Sequence, residues 1–163
     1  MARVDHEERT MVNPLPDNYP RVNPYLAIDG AAAAIEFYVA VFGATERMRI
    51  ADPSGKIGHT EIEIGDSVIM ISDEYPEMNV LGPLTVGGTP TWLLVYVPDV
   101  DATFQKAIEL GATEIRPVED QFFGDRTGQF VDPWGHRWGV ASHIEEVAPD
   151  EMERRAAEEM GGG

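Results

Sequence analysis

Cysteine is missing, basic residues are scarce and long apolar runs are absent, and each shortage removes a class of function. Without one cysteine among 163 residues, disulfides, thiolate nucleophiles and sulfur-ligated zinc sites are excluded. Twelve basic residues against 29 acidic ones leave a formal charge of -17, which repels phosphate backbones. No basic patch with interleaved aromatics offsets that charge, so a nucleic-acid partner is not expected. No apolar run approaches the roughly 20 residues that span a bilayer. The opening stretch, MARVDHEERTMVNPLPDNYP, also lacks the apolar centre of a secretory signal. The expected compartment is the cytoplasm, with no membrane partner.

What remains is an ordinary globular composition, 43% apolar, in a length that suits one domain or two halves sharing a core. Residues 1–20 are polar and proline-broken and read as a flexible arm that contains His6. Val22 to Ile28 is a short strand ended by Asp29-Gly30. The stretch AAAAIEFYVAVF, residues 31–42, carries Ile35, Tyr38, Val39 and Phe42 at helical spacing, and Gly43 stands at its C-cap. Thr45 to Ala51 follows as a strand, with Asp52-Pro53-Ser54-Gly55 as a turn. Ile57 to Ile64 alternates strictly: Thr60, Ile62 and Ile64 share one face, His59, Glu61 and Glu63 the other. After the Gly65-Asp66 turn, Ser67 to Ile71 returns as an apolar strand. Residues 74–90, rich in proline and glycine, form the mid-chain connection.

The order then repeats. Thr91 to Val97 is a strand, and Asp99 opens a helix with Val100, Phe104, Ala107, Ile108 and Leu110 as its apolar stripe. Gly111 stops it. Phe42-Gly43-Ala44-Thr45 is echoed by Leu110-Gly111-Ala112-Thr113 at an offset of 68 residues. Two copies of strand-helix-strand-strand-strand are the economical reading. Neither copy could bury the apolar face of its sheet alone, so each needs the other half or a second chain. The expected units are residues 21–73 and 91–144, followed by an acidic tail, 145–163. There Pro149 precedes a helix from Asp150 to Met160 that is solvated or braces a dimer.

The most distinctive stretch is QFFGDRTGQFVDPWGHRW, residues 121–138. Asp132-Pro133-Trp134-Gly135 has the composition of a tight turn, flanked by two short strands, hence a β-hairpin. Charged and aromatic residues with little plain alternation suggest a lined cavity. An edge hairpin with a local Asp125–Arg126 ion pair is the other reading.

Three pieces together resemble the vicinal-oxygen-chelate superfamily of glyoxalase I, extradiol dioxygenases and bleomycin-resistance proteins. They are AAAAIEFYVAVFGA, GKIGHTEIEIGDSVIMISDE and FFGDRTGQFVDPWGHRW. The likeness is nearest to the PhnB-like branch and covers residues 22–144. It implies an α+β fold of two βαβββ modules whose curved sheets enclose a cleft, commonly in a homodimer and sometimes with modules exchanged between chains. Catalytic members hold a divalent metal on the first and fourth strands of each module. Those positions fall here at Asn23, Met70, Trp92 and Gly139, a set without an imidazole or carboxylate. A metal site of the family's kind is therefore not expected, nor any other cofactor, and an enzyme of that metal-dependent type is the less favoured reading.

By strand parity Tyr25, His59, Met70, Trp92, Leu94 and Tyr96 face the cleft, with Phe122 or Phe123 closing an end and Trp138 on the core side. Rings with a few polar groups describe a pocket for a small organic molecule, and each ring could equally be packing between modules. Arg126 could grip a carboxylate or phosphonate, or it could be a salt bridge to Asp125, Asp132 or Glu61. Asp125, Asp132, Gly135 and His136 are expected to be structural. His59 beside Glu61 is the one pair compatible with acid–base work, and no nucleophile accompanies it. Three readings stand. The first is a metal-free dimeric binder of a small organic molecule, with the -17 charge suiting a cationic one. The second is a lyase, isomerase or dioxygenase with a relocated metal at His59 and Glu61. The third is a structural or regulatory homodimer.

Overall fold

Two similar sheet–helix modules follow one another in the computed structural model, which describes residues 12–161. The first holds β1 (Tyr25–Ile28), α1 (Ala31–Phe42), β2 (Thr45–Ala51), β3 (Ile57–Ile64) and β4 (Ser67–Asp73), in the sheet order β1-β4-β3-β2. A 3-10 turn at Pro76–Met78 and a short helix α2 (Pro83–Val86) lie in the connection. The second module holds β5 (Trp92–Tyr96), α3 (Val100–Glu109), β6 (Thr113–Asp120), β7 (Asp125–Val131) and β8 (Arg137–His143), ordered β5-β8-β7-β6. A final helix, α4 (Pro149–Gly161), closes the described chain. In each module the first strand runs parallel to the last and the other pairings are antiparallel, so the repeat inferred from sequence is a repeat of topology. The sheets remain open.

Local chemistry explains the boundaries. Gly30 offers α1 no side-chain cap, and Asp73 at the end of β4 supplies one from a distance. Its Oδ1 accepts from the backbone N–H groups of Gly30 and Ala31 at 3.2 and 2.9 Å, and its Oδ2 from Ile57 at 2.7 Å. Gly43 ends α1 at a φ of 66°, where a side chain would be strained. Asp99 caps α3 by accepting from Ala102 N–H at 3.1 Å.

Some expectations need correction. The first strand starts at Tyr25 rather than Val22: Pro24 has no N–H for the ladder and contributes only its carbonyl, to Met70 N–H at 2.9 Å. Leu110 is not in the apolar stripe of α3; it is the C-cap and is exposed. Asp125 and Arg126 are the first two residues of β7. The N-terminal arm ends before Tyr19, which is bonded to β3; His6 lies outside the described residues.

Helices α1 and α3 lie together on one side of the sheets. Ile28, Ile69, Ile71, Val95, Trp138 and Val140 point toward them and are buried, the parity expected from alternation. Aromatic side chains of α1 cross into the second module. Tyr38 and Phe42 pack on Trp138 with ring centroids 5.1 and 4.9 Å apart, and Phe42 stacks on Phe130 at 6.3 Å. Trp138, Tyr38 and Phe130 are fully buried, each contributing about 2 kcal/mol by area. The second module's hairpin turn is held from the first: Asp132 Oδ2 accepts from Tyr38 Oη at 2.5 Å and from Trp138 Nε1 at 2.9 Å.

Candidate functional site

The opposite faces of the sheets carry the chemistry. Across the first sheet Tyr25, Met70, Glu61 and Met48 stand in register on β1, β4, β3 and β2. Glu61 is nearly sealed at 3% exposure and collects three partners. Tyr19 Oη donates to its two oxygens at 2.7 and 3.0 Å, and His59 Nε2 lies 2.9 Å from Oε2. Arg47 Nε is 3.9 Å from Oε1, and its guanidinium covers the Tyr19 ring at 4.6 Å. Tyr25 Oη completes the chain at 2.9 Å from His59 Nδ1. Burial pushes the Glu61 carboxyl up, but the hydrogen bonds from His59 and Tyr19, with the neighbouring positive charge, outweigh it and hold the group below the usual carboxylate range. With Nε2 donating its hydrogen bond to Glu61, Nδ1 faces the Tyr25 hydroxyl. His59 has both ring nitrogens engaged, so the group it presents outward is the Tyr25 phenol.

The second sheet's open face is an apolar floor between two polar ends. Trp92, Leu94 and Tyr96 of β5 stand beside Arg137, Gly139 and Ala141 of β8. At one end the Arg137 guanidinium lies 3.8 Å over the Trp92 ring, and its Nη2 donates to Gln129 Oε1 at 2.6 Å. At the other end buried Asp125 accepts from Tyr96 Oη at 2.5 Å and pairs with His143 Nδ1 at 2.8 Å; His143 Nε2 reaches Glu146 at 3.1 Å. The hydrogen bonds to Asp125 and then Glu146 raise the His143 imidazole above its ordinary value. Trp92, Leu94 and Tyr96 are 45%, 52% and 61% exposed, and Tyr25 is 52% exposed. Four large apolar or aromatic side chains are thus held on strands and left uncovered.

Two cavities adjoin β5. One of about 580 Å³ runs from Trp92, Leu94 and Tyr96 to the Ile64–Ser67 turn and to Pro20, Val22 and Pro24. The other, of about 310 Å³, lies between Tyr25 and Leu26 of the first module and Trp92, His136 and Arg137 of the second. Both volumes are in the range that takes small organic ligands.

The residues at the family's metal positions do not fit a divalent ion. Asn23 gives its Nδ2 to Pro20 O at 2.7 Å, Met70 offers a thioether, and Trp92 lies under a cation. Gly139 has no side chain, and the space where one would start is taken by Leu94 Cδ1, 3.0 Å from an ideal Cβ. Among the described residues no three His, Asp, Glu or Cys side chains come together in a way that could hold a metal. The relocated set around His59 and Glu61 is spent on hydrogen bonds to tyrosines.

Tyr25, His59, Met70, Trp92, Leu94 and Tyr96 thus share the open faces. Arg126 does not join them: it lies on the helix-bearing face, where Nε and Nη2 grip both oxygens of Asp101 on α3 and Nη1 reaches Asp120, all at 2.9 Å. The alternation of β7 puts it with Gly128 and Phe130, and its partners are none of the three expected carboxylates. Phe122 packs edge-on to Phe123 at 5.3 Å and gives its carbonyl to Arg155 of α4 at 3.1 Å; it lines neither cavity beside β5. Asp132 and Gly135 shape the turn, where Asp132 Oδ1 accepts from Trp134 and His136 N–H, both at 3.0 Å, and Gly135 has a φ of 90°. His136 Nε2 reaches Ala27 O at 2.9 Å and joins the modules. Sequence reading missed Tyr19, Gln129 and Arg137. Arg137 was available by parity, two residues before Gly139. Nothing in a proline-broken arm marks Tyr19.

The family described as Glyoxalase/Bleomycin resistance protein/Dioxygenase superfamily matches residues 21–140. The uncharacterized protein Mb0911c of Mycobacterium bovis is 41% identical over 137 residues, covering 82% of this chain and 90% of the relative. Rv0887c of Mycobacterium tuberculosis has the same identity, covering 82% and 81%. Among solved structures, TioX from Micromonospora sp. ML1 aligns with a TM-score of 0.58 at 25% identity, over 79% of this chain and 100% of that one. PA1353 from Pseudomonas aeruginosa aligns with a TM-score of 0.61 at 23% identity, over 77% and 99%, a likeness of fold alone.

Proposed function

The chain belongs to the Glyoxalase/Bleomycin resistance protein/Dioxygenase superfamily, and from that premise we propose that it is a metal-independent binder of a small organic molecule. The ligand rests on Tyr25, Met70, Trp92, Leu94 and Tyr96, with the Tyr25–His59–Glu61 chain as its polar contact. The observation that carries this reading is the exchange of donors for rings: where a metal-dependent relative needs imidazoles and carboxylates, this chain has Met70, Trp92 and Gly139. The Trp134-Gly135-His136 turn supports a place in the PhnB-like branch, and a cysteine-free chain suits a cytoplasmic setting. A homodimer completes the site, because among the described residues β5 has no strand on its outer edge and its apolar side chains are uncovered.

Elemental analysis, sedimentation and ligand titration of the purified protein test this. A dimer with substoichiometric metal and saturable binding of an organic molecule is expected. A stoichiometric metal that is lost on His59→Ala overturns it. One observation favours a second reading, acid–base catalysis: the relay from Glu61 through His59 to Tyr25 could set the phenol to exchange a proton with a substrate. Turnover abolished by Tyr25→Phe with binding intact would establish it.

A further inference from the structure

Among the described residues Arg137 is a cation of this surface with no carboxylate partner. Arg47, Arg49, Arg126, Arg154 and Arg155 each hold at least one carboxylate, as expected in a chain of 29 acids. Arg137 has a half-buried side chain, a neutral amide at 2.6 Å as its hydrogen-bond partner, and a buried Nε with no partner among the described residues. Removing a guanidinium from water without an anion costs stability. The Trp92 ring covers one of its faces, which fixes the plane of the fork and leaves its edge for a ligand. It lines the cavity of about 310 Å³ between the modules, where Tyr25 and Trp92 supply two aromatic walls.

We propose that this inter-module cavity takes planar organic carboxylates, with the ring between Tyr25 and Trp92 and the carboxylate on Arg137. The assignment rests on the reading of the chain as a small-molecule binder and narrows it, and it reverses what the -17 net charge suggests. That charge is distributed over the whole molecule and screened within about 8 Å at physiological salt, whereas an Arg–carboxylate contact acts at hydrogen-bond distance.

Calorimetric titration of the wild-type protein at neutral pH with naphthoate and with naphthamide, its uncharged isostere, tests the assignment. Naphthoate is expected to bind about tenfold more tightly, and Arg137→Met, which keeps an apolar stem, is expected to erase the preference. Equal affinity for both probes, or a preference that survives Arg137→Met, overturns the carboxylate assignment and leaves the binder reading in place. Absence of saturable binding by either probe counts against both. The wild-type comparison stands even if the variant fails to fold.

Discussion

Tyr38 on α1 donates its phenolic hydrogen bond to Asp132 at 2.5 Å across 94 residues of sequence, and that contact ties the first module's helix to the second module's hairpin turn. Asp132 also accepts from the Trp138 indole and from two backbone N–H groups of its own turn. Burial, more than the carboxylate itself, raises the Tyr38 phenol well above its ordinary value. Asp132→Ala strands a buried hydroxyl and a buried indole N–H, so a loss of about 3 kcal/mol or more is expected in urea unfolding. Tyr38→Phe removes one partner of four and should cost about 1–2 kcal/mol.

Gly128 and Gly139 face opposite sides of the second sheet and should respond differently to alanine. A Cβ at Gly128 would stand 2.8 Å from Val118 Cγ2 and 2.9 Å from Phe104 Cδ2 in the core, so Gly128→Ala is expected to cost about 1–3 kcal/mol by overpacking. A Cβ at Gly139 meets the end of an exposed leucine at 3.0 Å. That side chain can swing away, and thermal melts of Gly139→Ala should lie close to wild type.

The pH response of His143 has a definite sign. Its folded-state value is raised, by hydrogen bonds to Asp125 and Glu146. Its contribution to stability is therefore fully present below the unfolded value of about 6.5 and fades as pH rises through the folded one. An NMR titration should give a midpoint above 6.5, and Asp125→Asn should bring it down. Glu61 behaves oppositely: its lowered value means stability that is present above about pH 4.3 and lost as pH falls through the folded value. Tyr19→Phe should move that acid-side loss to higher pH.

Arg126 separates structure from binding. Its partners Asp101 and Asp120 are more than half exposed, so Arg126→Ala should leave the unfolding midpoint almost unchanged. Because the side chain lies on the helix-bearing face, ligand affinity should be unchanged; a tenfold loss would put Arg126 back in the site.

Strand period made most of this legible. Helix α1 carries its boundaries in a run of alanines and a closing glycine, and the offset between Gly43 and Gly111 exposed the two modules. Alternation sorted Ile69 and Ile71 from Met70, and Val95 from Trp92, Leu94 and Tyr96. What failed was anything that depends on which distant partner a charge selects. The order of residues places Arg126 beside Asp125 and says nothing of Asp101, one helix away. Tyr19 reaches Glu61 across 42 residues of sequence, a tertiary contact with no periodic signal. Arg137 and Gln129 obeyed the same alternation as Gly139 and were hidden only by the stronger pattern of the turn between them.

The most direct test of the central claim is one binding isotherm, followed by tryptophan emission, before and after exhaustive chelation of the protein. Trp92 at 45% exposure should report, whereas buried Trp138 and Trp134, which packs on Phe37, should not, so the signal should vanish in Trp92→Phe. The account predicts saturable binding of a planar organic molecule with the same affinity in both samples. Binding that disappears with the chelated metal and returns when it is restored would contradict it.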